Sequence, residues 1–235
     1  MTTPTAPAIH TGFEQARFNM IEQQIRPWEV LSPRVLELLS RVHREAFVPT
    51  AHRALAFADM ELPLTQPAVE GQCMLAPKVE ARLLQELDIK PTDKVLEIGS
   101  GSGHMAALLA SLARSVVSVE IDPVLANTAR ENLRHAGITN VEIQHADATA
   151  QGFAACAAHG AFDAILLSGS VAEIPPALLA LLSTGGRLAA VVGHEPMMRA
   201  TVVTRIADAS FQTTQPWDTV APRLLNFPEP SSFSF

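Results

Sequence analysis

Three glycines at alternate positions form the clearest chemical feature of the sequence, the run Glu97-Ile98-Gly99-Ser100-Gly101-Ser102-Gly103. The run follows a short apolar segment and precedes a helical pattern that starts near His104. Glycine permits a tight turn and lets a ligand approach bare backbone, whereas three glycines cost backbone entropy and offer no packing in return. We therefore interpret residues 99–103 as a glycine loop that wraps a nucleotide-like ligand.

The spacing within the glycine loop separates three classes of nucleotide ligand. A P-loop requires G-x-x-x-x-G-K-[ST], and the sequence contains no such run. The dinucleotide pattern G-x-G-x-x-G would place its third glycine at His104, which argues against an NAD-dependent oxidoreductase. A carboxylate such as Glu97, two residues before the first glycine, would instead stabilise a zwitterionic amino acid that carries a sulfonium. The pattern therefore favours S-adenosylmethionine.

Acidic residues follow the next two predicted strands. Glu120 ends the second strand beside Ile121, and an acid there can accept from both ribose hydroxyls; a solvated surface acid is the alternative. Asp122 precedes a proline and is typical of a helix N-cap. Asp147, after the third strand, could accept from an adenine amino group beside the N–H of Ala148; a turn aspartate is the alternative. A glycine loop followed by two acids on successive strand ends is the arrangement of class I methyltransferases.

Short apolar runs alternate with helical patterns through most of the chain. The predicted strands are residues 93–98, 116–121, 141–144, 164–167 and 188–192, and the predicted helices are residues 79–87, 105–112, 123–135 and 175–182. Parallel strands need crossover helices, so this alternation predicts an α/β fold with a doubly wound, mostly parallel sheet covered on both faces. Residues 201–204 and 210–217 add an antiparallel pair, which makes seven strands.

Four regions are expected along the chain. They are a loosely held tail at residues 1–12, an N-terminal helical and loop extension at 13–77 that covers the active site, a methyltransferase domain at 78–227 and a tail at 228–235. In the extension, apolar residues at helical spacing from Val35 to Val42 follow an N-cap signal at Ser32-Pro33. Phe47-Val48-Pro49 is expected to end that helix, and residues 53–70 are expected to form a loop.

Composition limits the expected partners and compartment. The net charge is −7 and no cluster of Lys and Arg occurs, which disfavours a nucleic-acid partner. The two cysteines, Cys73 and Cys156, are too few for a disulfide framework and lack metal-binding spacing, so we expect free thiols and no metal. No apolar stretch of about 18 residues and no signal-peptide pattern occurs, which predicts a cytoplasmic protein without membrane attachment.

Beyond the glycine loop, the chain resembles the protein-L-isoaspartate (D-aspartate) O-methyltransferases from about residue 20 to residue 227. The matching runs are Arg44-Glu45-Ala46-Phe47-Val48-Pro49, Leu62-Pro63-Leu64 with Gly71-Gln72, residues 95–103, Phe162-Asp163-Ala164-Ile165, Ile174-Pro175-Pro176-Ala177-Leu178 and Gly185-Gly186-Arg187-Leu188. The resemblance implies a class I fold, the cofactor S-adenosylmethionine and methyl transfer to the carboxylate of an isomerised aspartate, a protein-repair reaction. Such an acceptor is already ionised at neutral pH, so it needs placement rather than a strong base.

The acceptor half departs from the family pattern. After Gly-Gln the family usually has Thr-Ile-Ser-Gln-Pro, with its serine at the methyl-transfer site, but this chain has Cys73-Met74-Leu75-Ala76-Pro77. Leu75 therefore occupies the serine position and cannot donate a hydrogen bond. At the end of the fourth strand the usual Val-Thr-Ala-Ala is replaced by Leu167-Ser168-Gly169-Ser170. The residues predicted to bind the cofactor are Met74, Leu75, Glu97, Gly99, Ser100, Gly101, Gly103, Glu120, Ile121, Asp147, Ala148 and Ser168.

Three further side chains are candidates for chemistry on the acceptor, in addition to the position of Leu75. Cys73 is either a nucleophile or a buried thiol. His194 follows the fifth strand and is either a base for a hydroxyl or amine acceptor or an exposed loop residue. Arg223 either pairs with an acceptor carboxylate or forms a surface ion pair.

The leading hypothesis is therefore a methyltransferase of the isoaspartyl type that acts on proteins or peptides. The apolar run Cys73-Met74-Leu75 suggests, as one alternative, a small-molecule or less polar acceptor. A second alternative is a protein that binds S-adenosylmethionine without catalysis.

Overall fold

The computed structural model describes residues 12–229, which contain seven α-helices and nine strands within that range. The helices are α1 (Gly12–Met20), α2 (Pro33–Arg41), α3 (Pro77–Leu87), α4 (His104–Leu112), α5 (Pro123–His135), α6 (Ala150–Ala157) and α7 (Pro176–Leu179). The strands are β1 (Leu62–Pro63), β2 (Cys73–Met74), β3 (Lys94–Ile98), β4 (Ser115–Glu120), β5 (Val141–His145), β6 (Phe162–Val171), β7 (Leu182–His194), β8 (Met197–Ala207) and β9 (Ser210–Asp218).

The strands from β3 to β9 form one sheet in the order β5-β4-β3-β6-β7-β8-β9. The pairs from β5 to β7 are parallel, whereas β8 pairs antiparallel with β7 and with β9. The chain runs outward from β3 to β5 and then returns to place β6 on the other side of β3. This reversal leaves a crevice at the carboxyl ends of the central strands. The predicted doubly wound, mostly parallel seven-stranded sheet is confirmed.

Two apolar cores cover the two faces of the sheet. One joins helices α2 to α5 to inward residues such as Val95 and Val116, and the other joins α6 and α7 to residues such as Leu96 and Ile98. Neighbouring residues of β3 thus point into different cores, which is why Val95, Leu96 and Ile98 are all apolar. The N-terminal residues Met20, Leu39 and Phe47 belong to the first core, so the extension packs directly on the sheet domain.

Local structure agrees with the sequence where side chains act on their own backbone. Helix α5 has the predicted bounds, and Asp122 caps it by accepting from the N–H groups of Val124 and Leu125 at 2.7 and 3.0 Å. Helix α2 begins at Pro33 as predicted but ends at Arg41, earlier than predicted, because Val42 turns to an extended conformation.

Other local expectations were wrong. The helix expected at residues 175–182 is only the four-residue α7, because Leu182 is already hydrogen-bonded into β7. The segment expected to be a loop contains the 3-10 helix Thr50–Leu55 and the short strand β1. The sequence analysis did not find α1 or α6. The predicted tails lie largely outside the described residues, and within these residues no helix has the length and apolar character that a membrane span requires.

Candidate functional site

The glycine loop connects the end of β3 to α4, and its backbone requires glycine. Gly101 and Gly103 have positive φ angles of 51° and 82°. A Cβ atom on Gly103 would lie 3.2 Å from the backbone of Ala129 in α5, so this position also needs the absence of a side chain for helix packing. The prediction of a tight turn at this point is confirmed.

A cavity of about 810 Å³ opens beside the glycine loop, at the carboxyl ends of the central strands. Its volume lies in the range of small-molecule sites, about 300–1,000 Å³. Seven of the residues predicted to bind a cofactor line this main cavity: Gly99, Gly101, Glu120, Ile121, Asp147, Ala148 and Ser168. The sheet topology thus brings together residues that lie on four different strand ends.

Glu120 is the acidic group at the end of β4, and its carboxylate is held firmly in place. It is 6% exposed. Oε2 accepts from the backbone N–H of Gly101 at 2.9 Å, and Oε1 accepts from that of Asp122 at 3.0 Å. The glycine loop and the strand end therefore orient this carboxylate, which lines the cavity and retains lone pairs for two hydroxyl donors.

Asp147 lies beyond the end of β5 and forms the turn that the sequence left open as one of its two roles. Its Oδ1 accepts from the N–H of Thr149 at 2.9 Å, as in an Asx turn, and Oδ2 accepts from Asn226 Nδ2 at 2.7 Å. Burial would raise the pKa of this carboxyl, but the hydrogen bonds from Thr149 and Asn226 lower it below its usual value. The ionised carboxylate also lines the main cavity.

Glu97 was expected to contact the ligand directly, but the structure buries it behind the cavity wall. It is fully buried and is not among the residues that line the main cavity. Its carboxyl accepts from Ser118 Oγ at 2.6 Å and from Ser168 Oγ at 2.8 Å. Burial raises its pKa to about 8, although the two serines oppose this shift. Ser168 lines the cavity, so Glu97 orients a hydroxyl of the cavity wall without lining the cavity itself.

A bulge in β6 explains how Ser168 reaches both Glu97 and the cavity. Leu166 pairs with Ala189 and Ser170 pairs with Val191, so β6 uses four positions where β7 uses two. The extra residues bend the strand and direct Ser168 toward β3. Gly169, inside this stretch, is its local sequence signal, because a glycine within a strand often marks a bulge.

A second, small cavity of about 30 Å³ lies between the glycine loop and β2. Its lining includes the predicted residues Met74, Leu75 and Ser100. Leu75 is buried, and its carbonyl accepts from Arg44 Nη2 at 2.7 Å. The structure therefore brings the family's serine position close to the glycine loop, with an apolar side chain. Gly103 is not among the residues that line either cavity.

The thiol of Cys73 borders both cavities but is poorly suited to nucleophilic chemistry. Its Sγ donates to Glu61 Oε2 at 3.6 Å. Burial, followed by the negative charge of Glu61, raises the pKa of the thiol to about 12. Since the thiolate is the reactive form, this raised pKa argues against Cys73 as a nucleophile and favours the alternative of a buried thiol.

The two basic candidates at the acceptor side differ in placement. His194 is exposed, pairs with Glu229 at 3.0 Å and is not among the residues that line either cavity, so the structure removes the support for its role as a base. Arg223 lines the main cavity, donates to the carbonyl of Gly193 at 2.8 Å and pairs with Glu229 at 3.2 Å. Its Nη1 is buried without a hydrogen-bond partner in the described residues, and this leaves a donor available.

Comparison with known proteins decides the family. The model of the protein-L-isoaspartate(D-aspartate) O-methyltransferase family matches residues 15–220. The chain belongs to this family. Two proteins named protein-L-isoaspartate O-methyltransferase are similar to it. One, from Koribacter versatilis, is 38% identical over 87% of this chain and 88% of its own length. The other, from Methanoculleus marisnigri, is 43% identical over 75% of this chain and 77% of its own length.

Solved structures of the isoaspartyl methyltransferase type have the same fold. A Plasmodium falciparum structure described as such an enzyme in complex with S-adenosyl-L-homocysteine covers 91% of this chain and 99% of its own, with a TM-score of 0.71 at 20% identity. A second protein-L-isoaspartate O-methyltransferase covers 87% of this chain and 64% of its own, also with a TM-score of 0.71, at 21% identity. Family membership confirms the resemblance inferred from the motifs, and with it an S-adenosylmethionine-dependent methyltransferase.

Several cavity residues carry no local sequence signal that identified them as part of the site. The sequence analysis missed Glu61, Leu64, Val69, Glu70, Glu195, Met198 and, in the C-terminal segment, Val220, Leu224, Leu225 and Phe227. The C-terminal segment reaches the site because Ser170 in β6 donates to Pro222 O at 2.7 Å, and Leu224 donates back to Ser170 O at 2.9 Å. Such pairing depends on the finished sheet.

Proposed function

We propose that the protein transfers a methyl group from S-adenosylmethionine to a carboxylate of isomerised aspartate in proteins or peptides. The observation that carries this proposal is the single cavity of about 810 Å³ shared by two sets of residues. Gly99, Gly101, Glu120 and Asp147 form the set that suits a cofactor, and residues 69–73 and Arg223 form the set that we assign to the acceptor. A cofactor and an acceptor can therefore meet in one cavity.

The described residues fit an adenosyl amino acid. Bare backbone at Gly99 and Gly101 allows close approach, the carboxylate of Glu120 suits the ribose hydroxyls and Asp147 suits the adenine amino group. When bound, S-adenosylmethionine supplies an electrophilic methyl group on a sulfonium. The residues of this chain orient the two reactants and exclude water. The reaction needs no further catalytic group.

The acceptor needs no general base in this reaction. An acceptor carboxylate oxygen forms the new bond to the methyl carbon as the carbon–sulfur bond breaks, and the bonding electron pair remains on sulfur. No proton is transferred, so the protonated thiol of Cys73 and the distant ring of His194 present no obstacle. The spare Nη1 of Arg223 is the donor that we assign to the other oxygen of the acceptor carboxylate.

A less polar acceptor is the second candidate, and one observation favours it. Three carboxylates, those of Glu61, Glu70 and Glu195, line the main cavity, and the structure gives them no cationic partner among the described residues. Together with the apolar side chain of Leu75, these charges disfavour a strongly anionic acceptor.

Methyl transfer to a matched peptide pair tests the proposal. The purified protein is incubated with S-adenosylmethionine and either a peptide with one isoaspartate or the same peptide with normal aspartate. We expect release of S-adenosylhomocysteine and a base-labile methyl ester with the first peptide only. Transfer to neither peptide, by a protein that binds S-adenosylhomocysteine, would reject the isoaspartyl acceptor. Subsequent turnover on small-molecule amines or alcohols would then support the less polar acceptor, and no turnover would support binding without catalysis.

The domain boundaries and the compartment are part of the same proposal. In this proposal, residues 13–77 form an extension that covers the active site, residues 78–227 form the methyltransferase domain, and the protein acts in the cytoplasm. Both cysteines are free thiols, which is compatible with a reducing compartment. The absence of a nucleic-acid or membrane partner stays a prediction from composition.

A further inference from the structure

The small cavity is lined by a buried histidine that has one ring nitrogen without a partner and that the reaction described above does not use. His104 is the first residue of α4, directly after the glycine loop, and is 2% exposed. Its Nδ1 lies 3.0 Å from Glu80 Oε2 in α3. Its Nε2 is buried without any hydrogen-bond partner in the described part of the chain. A buried polar atom without a hydrogen-bond partner destabilises the fold, so this nitrogen is a candidate for binding a ligand.

Glu80 fixes the state of the His104 ring. Burial alone would raise the pKa of Glu80, but the charges of Arg44 and His104 outweigh burial and lower it, so Glu80 is ionised. Arg44 forms a buried ion pair with the same oxygen, Oε2. An ionised carboxylate can only accept, so Nδ1 of His104 carries a proton and the ring presents Nε2 elsewhere. The face of the ring is supported by Phe47, whose ring centroid lies 5.4 Å away.

The residues around His104 show which part of a ligand it could contact. His104 and Glu80 line the small cavity together with Gly99, Ser100, Gly101 and Ser102 of the glycine loop. Five residues, Leu64, Cys73, Gly99, Gly101 and Ser168, line both the small and the main cavity, so the two spaces adjoin. A ligand that lies along the glycine loop can therefore extend one small group into the small cavity.

The charges of the residues that line the two cavities indicate which group of the ligand enters the small cavity. Among the described residues that line the two cavities, the basic side chains are those of Arg223 and His104, and Arg223 is already paired with Glu229. The carboxylate of Glu120, which lines the main cavity, suits the hydroxyl groups of an adenosyl amino acid. Its carboxylate remains, and His104 is the basic group beside the loop that can receive it.

We propose that the imidazole of His104 anchors a ligand carboxylate in the small cavity, namely the carboxylate at the amino-acid end of the cofactor. With the carboxylate bound, the ring donates from Nδ1 to Glu80 and from Nε2 to the ligand. Arg44 balances the second negative charge. This inference rests on the proposed use of S-adenosylmethionine and adds a binding residue, together with Glu80 as its positioning residue.

Two ligands that differ in this end test the proposal. Calorimetry measures the binding of S-adenosylhomocysteine and of 5′-methylthioadenosine, which lacks the amino-acid end, to the wild-type protein and to His104→Phe. The phenyl ring keeps the packing against Phe47 and removes both nitrogens. We expect His104→Phe to weaken S-adenosylhomocysteine about ten- to a hundredfold, as for a lost hydrogen bond to a charged group, and to leave methylthioadenosine within about twofold.

Two further variants distinguish the loss of one hydrogen bond from a general loss of structure. His104→Gln keeps an N–H donor near the position of Nε2, and we expect it to recover part of the lost affinity. Phe47→Leu disturbs the ring packing but not the nitrogen, and it should affect both ligands equally. Equal weakening of both ligands by His104→Phe would overturn the proposal, because it would show a structural role.

The other outcomes are also distinct. Unchanged affinity for both ligands would overturn the proposal and leave the small cavity to a water molecule, while the proposed function would stand. If His104→Phe instead raised the KM of an isoaspartyl peptide and left S-adenosylhomocysteine unaffected, the carboxylate would belong to the acceptor and the assignment to the cofactor would be wrong. A wild-type protein that does not bind S-adenosylhomocysteine at all would reject the proposed function together with this inference.

Discussion

The side-chain amide of Gln72 donates to Oδ2 of Asp122 at 3.0 Å, and this contact joins the acceptor side of the main cavity to its cofactor side. The other carboxylate oxygen of Asp122 caps α5. The hydrogen bonds from the cap, with that of Leu125 the strongest, hold the pKa of Asp122 below its usual value. One aspartate therefore starts a helix and fixes the segment around Gly71 over the cavity.

Loss of this aspartate should reduce stability. We expect Asp122→Ala to lower the free energy of unfolding by about 1–2 kcal/mol, the usual cost of a lost N-cap. Urea unfolding at pH 7 measures the change. Gln72→Ala is the control, because it breaks the contact between the two sides but leaves the cap intact. It should cost less stability than Asp122→Ala and raise the KM of the acceptor; an equal loss of stability would contradict the primary role of the cap.

Removal of the carboxylate on β4 should weaken the cofactor. We expect Glu120→Ala to reduce the affinity for S-adenosylhomocysteine by about 1–3 kcal/mol, because a charge-assisted contact to the ribose is lost. Glu120→Gln keeps one acceptor oxygen and should lose less. Calorimetry with adenosine as a second ligand should show the same loss, since adenosine has the same ribose. Unchanged affinity for both ligands would reject the ribose assignment.

A serine in place of Leu75 should favour isoaspartyl transfer. Leu75 is buried, so Leu75→Ser removes apolar contacts and should destabilise the fold by about 2–4 kcal/mol. Leu75→Ala makes a cavity of nearly the same size without a hydroxyl and is the matched control. We expect Leu75→Ser to exceed Leu75→Ala in kcat/KM for an isoaspartyl peptide by about tenfold. Equal rates would mean that the acceptor segment has diverged beyond this single position.

The buried carboxyl of Glu97 should make stability depend on pH. Burial raises its pKa from the ordinary value of 4.5 to about 8, so between these values the folded protein holds a proton that the unfolded chain releases. Stability therefore falls as pH rises through this window, by up to about 1.4 kcal/mol per pH unit, and this contribution levels off above pH 8.

Glu97→Gln removes this titration and keeps hydrogen-bonding atoms for Ser118 and Ser168. Urea unfolding of both proteins at pH 5, 6, 7 and 8 should show a flatter profile for the variant. Parallel profiles would show that Glu97 does not titrate in this range.

The thiol of Cys73 should be dispensable for turnover. Its pKa of about 12 keeps it protonated at pH 8, so Cys73→Ala should retain kcat within about twofold and the wild-type thiol should react slowly with iodoacetamide. Cys156, which is buried, provides the internal reference for slow modification. A loss of kcat of a hundredfold or more would restore the nucleophile hypothesis.

The sequence by itself determined the features that depend on neighbouring residues. The alternate glycines at 99, 101 and 103 specify a turn because few other residues adopt positive φ, and Asp122 with Pro123 specifies a helix start because the side chain bonds its own following backbone. The alternation of apolar runs and helical patterns specified the parallel sheet, since parallel strands require crossovers. The positions of Glu120 and Asp147 at strand ends then placed them at the site.

The tertiary structure decided what depends on contacts between distant segments. The bulge that turns Ser168 toward Glu97 arises from pairing between β6 and β7, and the burial of Glu97 that raises its pKa comes from the layers on both faces of β3. The pair of Glu80 and His104 forms only when α3 packs against the start of α4. Burial and long-range hydrogen bonds set the charge and partner of a polar group, and neither is encoded in the spacing of residues along the chain.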